Sequence, residues 1–177
     1  MKKIVAFAGS NSSTSINYKL VRHVASLIEG HRVEVIKLTD YPLPLYSIDN
    51  ENNEGFSAEL NQLLDKLKDA DGLMISVNEH NGTVSAFFKN TLDWLSRIDC
   101  NFLEGKKVVL MSTSPGKRGG LSALEYISGF LPRIKADVVA SFTFPSFSEN
   151  FSEEENRILN EDLATTVAKA LDALVSE

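Results

Sequence analysis

The side chains able to do chemistry in this 177-residue chain gather in three short polar stretches, each directly behind an apolar run. The first runs through Ser10, Asn11, Ser12, Ser13, Thr14 and Ser15 to Ile16 and Asn17. The second is Asn78, Glu79, His80, Asn81, Gly82 and Thr83. The third spans Ser112 to Gly120 and holds Ser114, Gly116, Lys117, Arg118 and Gly119. A hydroxyl-rich turn between a strand and a helix start makes an anion site. The first N–H groups of the helix lack carbonyl partners, the positive end of its dipole points the same way, and the hydroxyls add donors. One such residue is enough to cap a helix. The unbroken run from Ser10 to Ser15 exceeds that need and points to a phosphate. Glu79 and His80 set an acid beside a base. We read them first as pocket walls, because a loop histidine is ordinarily plain surface. Lys117 and Arg118 suit a solvated face and the attraction of phosphates equally.

Motif and composition exclude much else. No G-x-G-x-x-G follows the first apolar run, which disfavours a dinucleotide fingerprint, and neither a G-x-x-x-x-G-K-[ST] loop nor a G-x-S-x-G elbow occurs. His23, His31 and His80 lack metal-ligand spacing, so no metal is expected. Cys100 stands alone, which rules out an internal disulfide and predicts an inert core or interface thiol. A net charge of −6 argues against a nucleic-acid surface. No window has the length of a membrane span, and the run Ile4 to Ala8 is too short for a signal peptide, so the expected location is the cytoplasm. A mononucleotide-sized anion site remains.

The elements that must position these stretches follow from hydropathy. Ile4 to Ala8 is apolar without alternation and predicts a strand buried on both faces. Ile16, Leu20, Val24 and Leu27 or Ile28 share a helical face that stops at Gly30. Val33 to Leu38 predicts the second strand. Pro42 and Pro44 forbid a helix over Tyr41 to Tyr46, and a loop rich in Asp, Asn and Glu is expected to run to Glu54. Leu60, Leu63, Leu64 and Leu67 mark a second helix, Gly72 to Val77 a third strand, and Val84 to Ile98 a third helix. Lys107 to Met111 reads as a fourth strand, Leu121 to Leu131 as a fourth helix and Val138 to Phe144 as a fifth strand. Ile158 or Leu159, Leu163, Val167, Ala170 and Leu174 trace a final helix, with Ser152 and Glu155 as its expected capping box. The cluster Phe142, Phe144, Phe147 and Phe151 suits core or dimer contact.

Strict alternation predicts one α/β domain over residues 1–177, a flavodoxin-like three-layer sandwich. Its parallel sheet of five strands has the expected order 2-1-3-4-5, with helices on both faces. Ligands of such sheets bind outside the carboxyl ends of the strands, at the switch point. The three polar stretches follow strands 1, 3 and 4, so topology alone brings them to that rim.

GSNSSTSIN, YPLPLY, NEHNGTVSAFFKNTLDW and SPGKRGG together resemble the NADPH-dependent FMN reductase family, which includes flavodoxin-like quinone, chromate and azo-dye reductases. The resemblance spans Lys3 to Phe144. It implies an FMN-dependent enzyme that takes hydride from NADPH or NADH and passes it to a quinone, azo compound, metal oxyanion or free flavin. It also implies a homodimer or homotetramer. Carried over by motif, Ser10, Asn11, Ser12, Ser15, Ile16 and Asn17 would surround the FMN phosphate. Asn78, Glu79, His80 and Asn81 would lie along the isoalloxazine ring, with Ser114, Gly116 and Gly119 bordering it from the third stretch. No side chain is assigned a catalytic role, since the cofactor carries the chemistry. Ser12 stands where the family has Arg, Asn78 where it has Pro and His80 where it has Tyr. The first change removes a charge partner from the phosphate. A flavodoxin-like electron carrier and a non-redox module without tight flavin binding stay open as alternatives.

Overall fold

Ile4, Val5 and Ala6 expose nothing to solvent, as an unbroken apolar run at the centre of a parallel sheet requires. The computed structural model describes residues 1–176. Strand β1 (Lys3–Ala8) lies between β2 (Arg32–Val35) and β3 (Gly72–Val77), followed by β4 (Lys107–Thr113) and β5 (Asp137–Phe144). All four pairings are parallel, and the order is β2-β1-β3-β4-β5. This is the 2-1-3-4-5 sheet expected from the hydropathy pattern.

Alternation along each strand divides the core into two layers. Val5 and Phe7 of β1, Leu73 and Ile75 of β3, and Val108 and Leu110 of β4 face one way. They pack against helices α3 (Ala58–Lys68), α4 (Ala86–Ile98) and α5 (Leu121–Phe130). Ile4, Ala6, Met74, Val109 and Met111 face the other way, toward α1 (Ile16–Ser26) and α6 (Glu161–Val175). The four phenylalanines from Phe142 to Phe151 belong to this second layer, so they are core.

Several local expectations differ from the structure. Ser152 and Glu155 do not cap the last helix. Phe151–Ser152 pairs with Arg157–Ile158 in a small antiparallel hairpin, and α6 begins at Glu161, capped by the Asn160 side chain. Ser152 Oγ does accept the Glu155 N–H at 3.1 Å, so the capping-box bond forms inside a turn that Asn156 then closes with φ 49°. Leu159 and Ile158 therefore lie outside the helix. The acidic stretch before Glu54 is a helix, α2 (Ile48–Glu54), capped by Ser47. It buries no side chain, so no apolar period announced it. Strand β2 ends at Val35, and Leu38–Asp40 is a 3₁₀ turn. Strand β4 runs on through Ser112 and Thr113, so the third polar stretch becomes a turn only at Ser114. Cys100 is exposed at the end of α4, not buried in the core.

Candidate functional site

The carboxyl ends of β1, β3 and β4 meet at one rim, held by short polar side chains buried within the strands. Asn17, in the first turn of α1, is 3% exposed and ties that helix to β3 and β4. Its Nδ2 donates to the Thr113 carbonyl at 3.0 Å, and its Oδ1 accepts from Ser76 Oγ at 2.8 Å and from the Thr113 N–H at 3.0 Å. Ser112 Oγ donates to the Val77 carbonyl at 2.7 Å, and Thr113 Oγ1 to the Phe144 carbonyl at 2.6 Å. Ser85 caps α4 and donates to the Gly9 carbonyl at 2.7 Å, tying that helix to the first turn. Ser76, Ser85, Ser112 and Thr113 were not singled out from the sequence. Their signal was position: small polar residues at the carboxyl ends of otherwise apolar strands, or directly before a helix.

On this frame the first turn arches over the start of α1. Ser15 is the N-cap, its Oγ accepting the Tyr18 N–H at 3.1 Å. That hydroxyl keeps its own proton to donate. Ser12 Oγ takes the Thr14 N–H at 3.2 Å, and Ser10 Oγ takes the Ser12 N–H at 3.2 Å. Ile16 and Asn17 open the helix, so their N–H groups have no carbonyl one turn back.

The second stretch is a hairpin, Glu79–His80 against Thr83–Val84. Asn81 and Gly82 make its turn with φ 51° and 77°, the two positive values a tight Asn-Gly turn needs. Glu79 Oε2 accepts the N–H groups of Ser122 at 2.9 Å and Ala123 at 3.3 Å. It thereby caps α5, which has glycine at its N-cap and no side-chain cap of its own. Its carboxylate is committed to that helix end and anchors the hairpin. His80 is exposed, and its Nε2 meets Asn78 Nδ2 at 3.2 Å. Asn78 Oδ1 is buried without a hydrogen-bond partner.

Ser10, Ser12, Ser15, Ile16, Asn17, Asn78, Glu79, His80 and Ser114 line one open cleft of about 250 Å³, closed by Thr14, Thr113 and Pro115. Four expected residues lie elsewhere. Asn11 faces a neighbouring groove on the other side of the first turn. Asn81 occupies the exposed hairpin tip. Gly116 accepts the N–H groups of Gly119 and Ser146 through its carbonyl and is outside the cleft lining. Gly119 is buried against β5, where an added Cβ would sit 3.0 Å from Phe144 and Pro145 backbone atoms. Its role is close packing.

YPLPLY lies outside the cleft lining and is fastened to α4. Asn90 of α4 accepts the Tyr46 N–H at 2.8 Å and donates to the Pro44 carbonyl at 3.0 Å; Trp94 Nε1 donates to the same carbonyl at 2.8 Å. The Trp94 ring meets Tyr46 edge-on at 5.1 Å. Lys89 pairs with Asp93 one turn on. This helix motif therefore pins a proline loop. Arg97 grips Glu51 of α2 at 2.7 and 3.1 Å, and Tyr46 donates to the same carboxylate at 3.0 Å. The Arg97 guanidinium is the main reason that the Glu51 carboxyl titrates below its ordinary range. Among the described residues no cluster of His, Cys, Asp and Glu could hold a metal, and no helix is long and apolar enough to cross a membrane.

Known proteins resemble this chain. The chain is similar to the quinone reductase of Escherichia coli K12, 31% identical over 138 residues that cover 77% of this chain and 73% of that protein. It is 24% identical to an NAD(P)H-dependent FMN reductase of Pseudomonas aeruginosa, over 97% of this chain and 92% of the other. Among solved structures, the flavoenzyme NAD(P)H:(acceptor) oxidoreductase FerB of Paracoccus denitrificans superposes with a TM-score of 0.79 at 24% identity, covering 99% of this chain and 96% of its own. That likeness shows the flavodoxin-like fold. The family model for NADPH-dependent FMN reductase matches residues 2–149, which include all three polar stretches and the whole cleft, and the chain belongs to that family.

Proposed function

We propose that the chain is a single flavodoxin-like domain that binds FMN in this cleft and acts as an NAD(P)H-dependent oxidoreductase. One observation carries the reading. A cleft at the switch point joins a turn rich in hydroxyl and N–H groups to a buried acceptor, Asn78 Oδ1, that nothing among the described residues satisfies. A flavin offers both complements, a phosphate at one end and a ring N–H at the other. An orphaned buried acceptor is costly unless a donor arrives.

The residues present fit the group. Ser10, Ser12 and Ser15 would donate hydroxyl protons to the phosphate, with the N–H groups of Ile16 and Asn17 behind them. The Asn17 side chain would hold the helix start in register with β3 and β4 instead of touching the ligand. Asn78 would take the ring N–H, and Glu79 would keep the hairpin against α5 so that Asn78 stays in place. Ser114 would border the ring from the β4 side. His80, exposed at the mouth, would meet the incoming substrate. FMN, when bound, supplies hydride transfer between nicotinamide and acceptor.

The acceptor class is a quinone, azo compound, metal oxyanion or free flavin. The printed activities of the relatives, a quinone reductase, an FMN reductase and an NADPH azoreductase of Bacillus sp., support that range. We further propose a cytoplasmic homodimer or homotetramer. Leu45 of the proline loop is 80% exposed and Ile48, three residues on at the start of α2, 51%, and a second copy would cover them. The test is turnover. The FMN-loaded chain should oxidise NADPH or NADH steadily only when a quinone is supplied. A carrier without a nicotinamide pocket would show no such oxidation unless a separate reductase were added, and that result would overturn the enzyme reading.

A further inference from the structure

Beyond the first turn, on the side away from the cleft, lies a second groove of about 400 Å³. Residues Ser10 to Ser13 form one wall, and Tyr18, Lys19, Arg22 and Lys37 form the other. Ala8 and buried Leu38 make an apolar floor. The charge here opposes that of the whole chain, which is −6. Lys19 pairs with Glu153. Arg22 and Lys37 have no carboxylate partner among the described residues, and Lys37 Nζ stands 5.5 Å from the centre of the Tyr18 ring. Cations on a solvated helix face usually alternate with acids. These converge from α1 and from the segment after β2 onto one concave space.

We propose that this groove is a subsite for a phosphorylated adenosine. The inference rests on the FMN reading, because Ser10, Ser12 and Ser15 line both the groove and the cleft. An anion held by the first turn lies at the junction. FMN ends at its phosphate and leaves the groove to water. A ligand that carries a phosphate into the groove meets Arg22 and Lys37 as charge-assisted donors, and a purine can lie on Leu38 beside Tyr18. Two ligands have this chemistry: the adenylate half of FAD, continuing from the flavin's own phosphate, and the adenosine 2′-phosphate half of NADPH. The groove holds about one nucleotide and the chain is acidic, so an extended nucleic acid does not fit.

The test uses Arg22→Gln with Lys37→Gln, both exposed and outside the proposed FMN contacts. The flavin-stripped chain is titrated with FMN and FAD, and both the stripped and the FMN-loaded chain with adenosine 2′,5′-bisphosphate. If FAD is the source, FAD binds about tenfold or more tighter than FMN and the double variant erases the difference. If NADPH is the source, the bisphosphate binds the FMN-loaded chain, and the double variant weakens it about tenfold or more while FMN affinity is unchanged. No advantage for FAD together with no binding of the bisphosphate overturns the subsite, as does binding that the double variant leaves intact. If FMN fails to bind the stripped chain while the bisphosphate binds and responds to the variant, the flavin reading falls and the subsite stands.

Discussion

The floor of the cleft and the surface segment of residues 41–57 are built on different principles. The floor, where β1, β3 and β4 end, is locked by buried bonds: Asn17 to Ser76 and Thr113, Ser112 to Val77, Thr113 to Phe144. Residues 41–57 hang on bonds nearer the surface, from Asn90 and Trp94 to the proline loop and from Arg97 to Glu51, with α2 burying nothing. Buried polar bonds are costly to break singly, because each loss leaves an unsatisfied partner in low dielectric. Surface bonds are replaced by water. The floor of the cleft is therefore preorganised, while the segment of residues 41–57 is the part able to vary and move.

The floor should break first and hardest. Gly120→Ala places a Cβ 2.1 Å from Ser112 Oγ at φ 77°. Relief requires rotating Ser112 off the Val77 carbonyl, so we expect a loss of about 3 kcal/mol or more in urea unfolding. Asn17→Ala strands Ser76 Oγ and both backbone groups of Thr113, and should cost about 2–4 kcal/mol and weaken FMN binding together with stability. Glu79→Ala uncaps α5 and frees the hairpin. It should cost about 1–2 kcal/mol, with a larger proportional effect on flavin affinity than on melting temperature.

Two pH effects sharpen the contrast. His23 is buried beside Phe151, and burial holds its pKa below the ordinary 6.5. The unfolded chain then binds a proton that the folded one refuses. Stability should be constant above pH 6.5 and decline as pH falls from there toward the lowered folded value, and His23→Phe should flatten that decline in pH-dependent melting. Glu51 gives the smallest effect. Its carboxyl is held below 4.5 chiefly by Arg97, so its contribution is present above that pH and fades as pH drops through the lowered value. Arg97→Ala should remove this acid step and loosen residues 41–57 while leaving FMN binding nearly unchanged.

The same division explains what was legible in the sequence. The sheet order, the two-layer core and the rim came from apolar runs whose period has one structural meaning. The first turn was legible because its excess of hydroxyls exceeds what capping needs. Glu79 and Asn17 were recognised as rim residues, but their side chains serve the frame, and that depends on partners 43 and 96 residues away. The Asn81-Gly82 turn was a local hairpin signal that the polar composition of the stretch masked. Helix α2 and the hairpin after Phe151 have too little apolar period to announce themselves. The basic groove could not be read at all, because α1 and the end of β2 bring Arg22 and Lys37 together only in three dimensions.

The central claim, that this rim holds a flavin by its phosphate, is tested most directly by quenching of flavin fluorescence on titration of the flavin-stripped chain. The account predicts saturable binding of one FMN per chain, with riboflavin, which lacks the phosphate, bound about a hundredfold more weakly. Equal affinity for the two would contradict the role of the first turn, and no saturable binding of either would contradict the flavin site itself.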